Sequence, residues 1–114
     1  MTREVSVQPL TAEAFAPFGD VLESRGAPSF IINQGKCGRF HDLAMLDFED
    51  ARAGISMFES EARSFPYTLD LMERHPLGTQ AFLPMTEYPF LVVVAEDASG
   101  QPAEPKAFLA ASGQ

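Results

Sequence analysis

A carboxylate, an imidazole and an amide occur at short spacing in the second half of the chain. Glu73 and His75 are two residues apart, which on a β-strand places both side chains on one face. Gln80 follows a Pro-Leu-Gly turn that would bring it back beside them. These three side chains have the spacing of ligands for a divalent metal ion, with glutamine as a weak neutral ligand. The alternative is a strand end at which Glu73 is solvated and His75 caps the turn.

A second group of polar residues surrounds an Asn-Gln-Gly sequence. Asn33 lies in a predicted turn, and Arg39 and His41 follow it two residues apart on a predicted strand, which places them on one strand face. An arginine is well suited to a bidentate grip on a carboxylate. The group therefore has the chemistry of an anion site, and a surface ion pair beside a hairpin is the alternative.

The elements that must position these residues are short. Nine prolines and eight glycines divide the 114 residues and leave little room for long helices. Thr11 is predicted to cap a single helical turn that Pro17 ends. Strands are predicted at residues 5–8, 30–33, 39–43, 55–59, 67–75, 80–83, 90–95 and 106–110, and a polar loop at residues 97–105. This pattern is typical of an all-β sandwich or barrel.

The predicted strand at residues 67–75 would connect a core to the first polar group. Leu69 and Leu71 share a face with Glu73 and His75, so this face changes from apolar to polar along the strand. We expect the strand to run through the core of a barrel into a hydrated mouth. The last strand, residues 106–110, is followed only by a turn-like Ser-Gly-Gln, so we expect missing residues or a second subunit to cover its edge.

Composition narrows the classes of protein open to this chain. The 16 acidic and 8 basic residues give a net charge of −8, which disfavours binding to nucleic acid or to an anionic membrane. Cys37 is the only cysteine, so no intrachain disulfide can form and a reducing, cytoplasmic compartment is expected. The N-terminus lacks the apolar stretch of a signal peptide. We expect one cytoplasmic domain spanning residues 1–114.

The run ERHPLGTQAFLP, from Glu73 to Pro84, is the most specific motif in the chain. Together with residues 10–21, 30–35, 39–44 and 89–95, it resembles the ureidoglycolate lyase family of allantoin degradation, with the segments in the same order. The resemblance implies a cupin-like antiparallel β-barrel (a double-stranded β-helix) with a short N-terminal helical turn. Because the family's Gly-Val-Asn-Tyr-His…Trp-His-His-Pro segment does not occur here, it also implies that this single domain is incomplete at its C-terminus.

The resemblance also implies an activity and a set of roles. Family members cleave (S)-ureidoglycolate to glyoxylate and urea, form homodimers, and could use a divalent metal ion such as nickel. His75 or Glu73 would be the base and Gln80 would hold a polar group of the substrate, or the three would bind the metal. The residues expected to bind the substrate, with an arginine on its carboxylate, are Arg39, Arg74, Asn33 and His41.

Three other functions fit the same sequence features. A non-catalytic cupin-like protein that binds a small acid would keep the site without turnover. A sugar isomerase or epimerase of the cupin class would use the same barrel. A purely structural dimer module would leave Glu73, His75 and Gln80 facing solvent separately.

Overall fold

Backbone pairing in this protein is concentrated in a few short strands. The computed structural model describes residues 3–114, and in this range it contains seven strands and one helix of a single turn. The elements are β1 (Val7–Pro9), α1 (Ala12–Phe15), β2 (Phe30–Ile32), β3 (Cys37–Arg39), β4 (Phe90–Val94), β5 (Asp97–Ala98), β6 (Gln101–Pro102) and β7 (Lys106–Ala110). The prediction of an all-β protein with helix confined to the Thr11 region is confirmed.

The described chain forms two compact units. The first contains all seven strands and consists of residues 3–45 together with Phe82–Gln114. The second is Leu46–Ala81, which contains the Glu73–His75 segment and none of the named elements.

The largest sheet of the first unit has the order β1-β7-β4. β4 pairs with β7 in antiparallel fashion, with Val92 opposite Phe108, whereas β1 pairs with β7 in parallel. The expectation that the last strand needs missing residues or a second subunit to cover its edge is wrong, because β7 lies between β1 and β4. The expectation of a purely antiparallel sheet is wrong as well, because the β1–β7 pair is parallel. A parallel pair needs a long connection, and nearly the whole chain separates β1 from β7.

The core of the first unit forms where α1 meets this sheet. Phe108 is 1% exposed, and its ring lies 5.2 Å from that of Phe15 and 6.0 Å from that of Phe18. The helical turn that carries Phe15 begins as predicted, since the backbone N–H of Ala14 donates to Thr11 Oγ1 at 3.1 Å. The cap therefore fixes the turn that covers the largest fully buried side chain of the described residues.

Two hairpins complete the first unit. β2 and β3 are antiparallel and joined by a turn at residues 33–36, in which Lys36 N–H donates to the Asn33 carbonyl at 3.2 Å. The predicted turn between two strands is confirmed. The region predicted as a polar loop contains the β5–β6 hairpin, and Gly100 N–H donates to Asp97 Oδ1 in its turn.

The second unit contains only an isolated β-bridge between Phe48 and Gly78. The strands predicted at residues 55–59 and 67–75 are not formed, and residues 80–83 are also outside any strand. Alternating apolar and polar residues make a segment compatible with a strand, but the strand forms only when its N–H and C=O groups find a partner. Within residues 3–114 the sheets do not close into a barrel.

Among the described residues, no helix is long and apolar enough to cross a membrane. This agrees with the short apolar runs of the sequence.

The buried position of Phe108 predicts a large loss of stability on truncation. Phe108→Ala should lower the free energy of unfolding by about 3–5 kcal/mol, because it opens a cavity beneath Phe15 and Phe18. Leu109→Ala is the matched control, since Leu109 is 43% exposed in the same strand and should cost about 1 kcal/mol. Urea unfolding of both variants measures the difference, and equal losses would contradict this description of the core.

Candidate active site

Glu73 and His75 are in contact in the second unit. His75 Nε2 lies 3.3 Å from Glu73 Oε2, and the side chains are 45% and 77% exposed, respectively. An ionised carboxylate can only accept hydrogen bonds, so Nε2 carries the proton when a neutral His75 makes this contact. The lone pair of a neutral ring is then on Nδ1. The contact therefore selects a tautomer in which Nδ1 can act as a base.

The predicted burial of the leucines that precede this pair is wrong. Leu71, expected on the same face inside a core, is 75% exposed, and Leu69 is exposed as well. Because residues 67–75 do not form a strand, the period-two argument that divided their side chains between two faces does not apply. Strand alternation therefore gives no reason to place Arg74 on the face opposite His75 either.

Gln80 is not part of the contact. Within residues 3–114 its side chain makes no hydrogen bond, and it is exposed beyond the turn at Pro76 to Gly78. The structure therefore brings together two of the three residues that the sequence grouped.

A metal ion would need more ligands than this pair supplies. Among the described residues, no three His, Cys, Asp or Glu side chains lie close enough together to hold a metal ion. Glu73 and His75 provide one oxygen and one nitrogen, whereas transition-metal sites in proteins usually have three or four protein ligands. The observed arrangement of Glu73, His75 and Gln80 does not fit the predicted metal site.

A pairing that the sequence does not reveal holds the chain directly after His75. Residues 47–49 lie against residues 77–79, with Glu49 N–H donating to the Leu77 carbonyl at 2.8 Å and Thr79 N–H donating to the Asp47 carbonyl at 2.9 Å. We call this pairing the 47–79 clamp. Its members are about thirty residues apart in sequence, and no local spacing signal connects them.

An open hollow of about 420 Å³ lies at this clamp. It begins at Pro76, the residue after His75, and the remaining lining comes from residues 47–49 and 77–79. Small-molecule sites in proteins start at about 300 Å³, so the hollow is large enough for a small acid.

The second predicted group is arranged around the β2–β3 hairpin of the first unit. β3 ends at Arg39, so His41 lies beyond the strand and the predicted shared face of these two residues is not formed. The ring of His41 lies 5.8 Å from that of Phe30, and its backbone N–H donates to Ser29 Oγ at 3.2 Å. Asn33 occupies the turn with a φ of 54°.

Arg39 is exposed, and its side chain makes no hydrogen bond or ion pair with any residue from 3 to 114. A second open hollow in the first unit, of about 280 Å³, is lined mostly by apolar side chains, and none of the predicted site residues lines it. The guanidinium of Arg39 therefore remains available to an external anion.

The fold and the Glu73–His75 contact together define an all-β protein with an imidazole oriented by a carboxylate, an arrangement used in acid–base enzymes. Comparison with known proteins gives the particular family. The family model for ureidoglycolate lyase matches residues 2–114, and the chain belongs to this family.

Several relatives match over nearly the whole chain. The ureidoglycolate lyase of Rhodobacter capsulatus is 62% identical over 109 residues, which is 95% of this chain and 68% of the relative. That of Chelativorans is 50% identical over 114 residues, 98% of this chain and 69% of the relative. Ureidoglycolate lyase 2 of Rhizobium meliloti is 52% identical over 110 residues, 95% of this chain and 68% of the relative.

Proposed function

We propose that this chain is a carbon–nitrogen lyase that cleaves ureidoglycolate to glyoxylate and urea in purine catabolism. The observation that carries the proposal is the contact between Glu73 and His75 in a chain of this family. A binding protein without catalysis would need no oriented base, and a structural module would leave the two side chains separate. Relatives at 50–62% identity named as ureidoglycolate lyases support the enzyme over both alternatives.

The reaction needs a proton to move between two atoms of the substrate. Ureidoglycolate carries a hydroxyl, a carboxylate and a ureido nitrogen on one carbon. As the hydroxyl loses its proton, its oxygen forms the carbonyl of glyoxylate, and the C–N electron pair leaves with the nitrogen. That nitrogen takes up a proton and becomes urea. One group that first accepts and then donates a proton can serve both ends of the reaction.

His75 fits this double task. With Glu73 accepting a hydrogen bond from Nε2–H, Nδ1 takes the hydroxyl proton and returns it to the departing nitrogen. Glu73 remains a carboxylate and stabilises the imidazolium that forms in between. The hollow that begins at Pro76 would hold the substrate, and Gln80 would bind its ureido or hydroxyl group once the substrate is present. Nothing in this sequence of steps requires a metal ion.

The substrate carboxylate needs a cation on a chain whose net charge is −8. Arg39 is the first candidate, because its guanidinium is exposed and makes no ion pair within the described part of the chain. Asn33, in the turn of the same hairpin, and His41, two residues beyond its second strand, would contribute hydrogen bonds to the substrate. Arg74 is the second candidate, because it lies between Glu73 and His75 in sequence.

For the assembly we propose a homodimer of cupin-like subunits in the cytoplasm. Leu10 N–H donates to the Leu109 carbonyl, so the backbone groups of Leu109 point toward β1. Its β4 partner Leu91 must then direct its own N–H and C=O away from β7, to an edge that receives no backbone hydrogen bond from residues 3–114. Pairing with a second copy would satisfy this edge, and it would extend the sheet toward a barrel.

Sedimentation velocity at micromolar concentration measures this assembly. We expect the mass of two chains, and a stable monomer would contradict the homodimer.

The proposed base predicts that His75→Ala abolishes most turnover with little loss of stability. Glyoxylate release should fall by about 10²-fold or more, because general acid–base catalysis contributes about that much. The thermal midpoint should change little, since the His75 side chain is half exposed. Coupled measurement of glyoxylate and thermal melting tests both parts. Near-normal turnover in His75→Ala would show that the base is assigned wrongly.

Glu73→Gln should lower turnover roughly tenfold, because the amide keeps the shape of the side chain but removes the charge that stabilises the imidazolium. Glu61→Gln is the matched control, since this residue of the same unit is exposed and lies outside the site.

The proposed contact between Arg39 and the substrate carboxylate predicts a change in KM and not in kcat. Arg39→Ala should raise KM by about 10- to 100-fold with a small change in kcat, because a hydrogen bond to a charged group is worth about 1.5–3 kcal/mol. Arg74→Ala should raise KM less, and Arg52→Ala, an exposed arginine outside both groups, should have no effect. A larger rise in KM for Arg74→Ala than for Arg39→Ala would mean that Arg74, and not Arg39, binds the substrate carboxylate.

A further inference from the structure

We propose that Thr79 is a positioning residue for the catalytic pair: its side-chain hydroxyl closes the 47–79 clamp and thereby sets the position of His75 and Gln80. The proposal rests on the proposed function of Glu73 and His75, and it assigns a role to a residue that touches neither of them in the structure.

Thr79 bonds to a single residue through both its backbone and its side chain. Its Oγ1 accepts from the backbone N–H of Asp47 at 3.0 Å and donates to the Asp47 carbonyl at 3.3 Å. The same carbonyl accepts from Thr79 N–H at 2.9 Å. The hydroxyl thus forms hydrogen bonds with both the N–H and the carbonyl of Asp47. Valine has nearly the same shape but no hydroxyl, so it cannot form them.

The clamp holds the residues that connect His75 to Gln80. Leu77 is anchored through its carbonyl to Glu49 N–H, and only Pro76, with its restricted φ, separates it from His75. At the other end, Thr79 is anchored and Gln80 follows it directly. Because both ends of this short connection are anchored, the backbone positions of His75 and Gln80 are restricted.

Among the described residues, the clamp is the backbone pairing nearest to His75 in the second unit. Within Leu46–Ala81 the bridge between Phe48 and Gly78 is the only β-type pairing that the structure describes. The His75 side chain is half exposed, so packing restrains it only in part. The hydrogen bonds of the clamp restrain the backbone that follows it.

A close approach between two backbones gives a second, independent way to disturb the clamp. A Cβ atom added at Gly78 would lie 2.5 Å from Cδ1 of Phe48 and 3.2 Å from the Asp47 carbonyl oxygen. Gly78→Ala must therefore displace the Phe48 ring or move the two segments apart, and the additional change Phe48→Ala removes the side-chain part of that clash.

The test compares Thr79→Val with Thr79→Ser. Loss of the hydroxyl in Thr79→Val should lower kcat for glyoxylate release by roughly 10- to 100-fold, as expected for a displaced catalytic group, with KM within about twofold. Thr79→Ser keeps the hydroxyl and should retain kcat within about twofold. A role in stability alone would change the thermal midpoint and leave the kcat of the folded protein unchanged.

A second measurement does not depend on activity. The chain has two histidines, so the NMR signals of the His75 ring can be assigned and followed with His41 as an internal reference. The nuclear Overhauser effect between the His75 ring and the Glu73 side chain should weaken in Thr79→Val and in Gly78→Ala. It should be retained in Thr79→Ser and recover in the double variant Gly78→Ala/Phe48→Ala.

The outcomes separate the two proposals. If His75→Ala is inactive while Thr79→Val keeps normal kcat and the normal Overhauser effect, the clamp proposal is overturned and the proposed base stands. If His75→Ala keeps normal turnover, the proposed base is wrong, and the Overhauser effect in the Thr79 variants still decides whether the clamp positions His75. Equal loss in Thr79→Val and Thr79→Ser would also overturn the proposal, because the hydroxyl would then not be the operative group.

Discussion

Every extended segment of this protein depends on finding a partner for its backbone N–H and C=O groups. Some partners are adjacent in sequence, as in the two hairpins, and others are distant: β1 pairs with β7, and residues 47–49 pair with residues 77–79. Unpaired buried backbone groups are costly, so a segment without a partner stays exposed to water. This explains why the first unit has a core around Phe108 while the Glu73–His75 segment is solvent-exposed.

The chemistry of the candidate site follows from one short contact and its exposure. A carboxylate beside Nε2 of His75 leaves Nδ1 as the basic nitrogen, and the hollow that begins at Pro76 offers space for a small acid. Because both side chains are in water, their mutual hydrogen bond contributes little to stability. What the contact provides is an orientation of the ring, which is why the backbone that carries it has to be held by something else.

Membership of the ureidoglycolate lyase family and the geometry of the chain answer different questions. The relatives identify the reaction, because they share 50–62% of the matched residues and carry that name. The geometry distinguishes residues that act together from residues that are only near one another in sequence. It pairs Glu73 with His75, leaves Gln80 without a hydrogen bond among residues 3–114, and connects the turn after His75 to Asp47 through Thr79.

Local chemistry was readable from the sequence. The cap at Thr11, the turn at Asn33 and the strands near residues 90 and 106 all rest on residue types a few positions apart, and the structure confirms each of them. Tertiary structure alone decided that β7 lies between β1 and β4, that residues 67–75 are not a strand, and that Thr79 bonds to Asp47. The reason is that the alternation of apolar and polar residues shows only which side chains a segment could bury. A strand forms through hydrogen bonds to another segment, and for distant partners no local pattern encodes where in the sequence that segment lies.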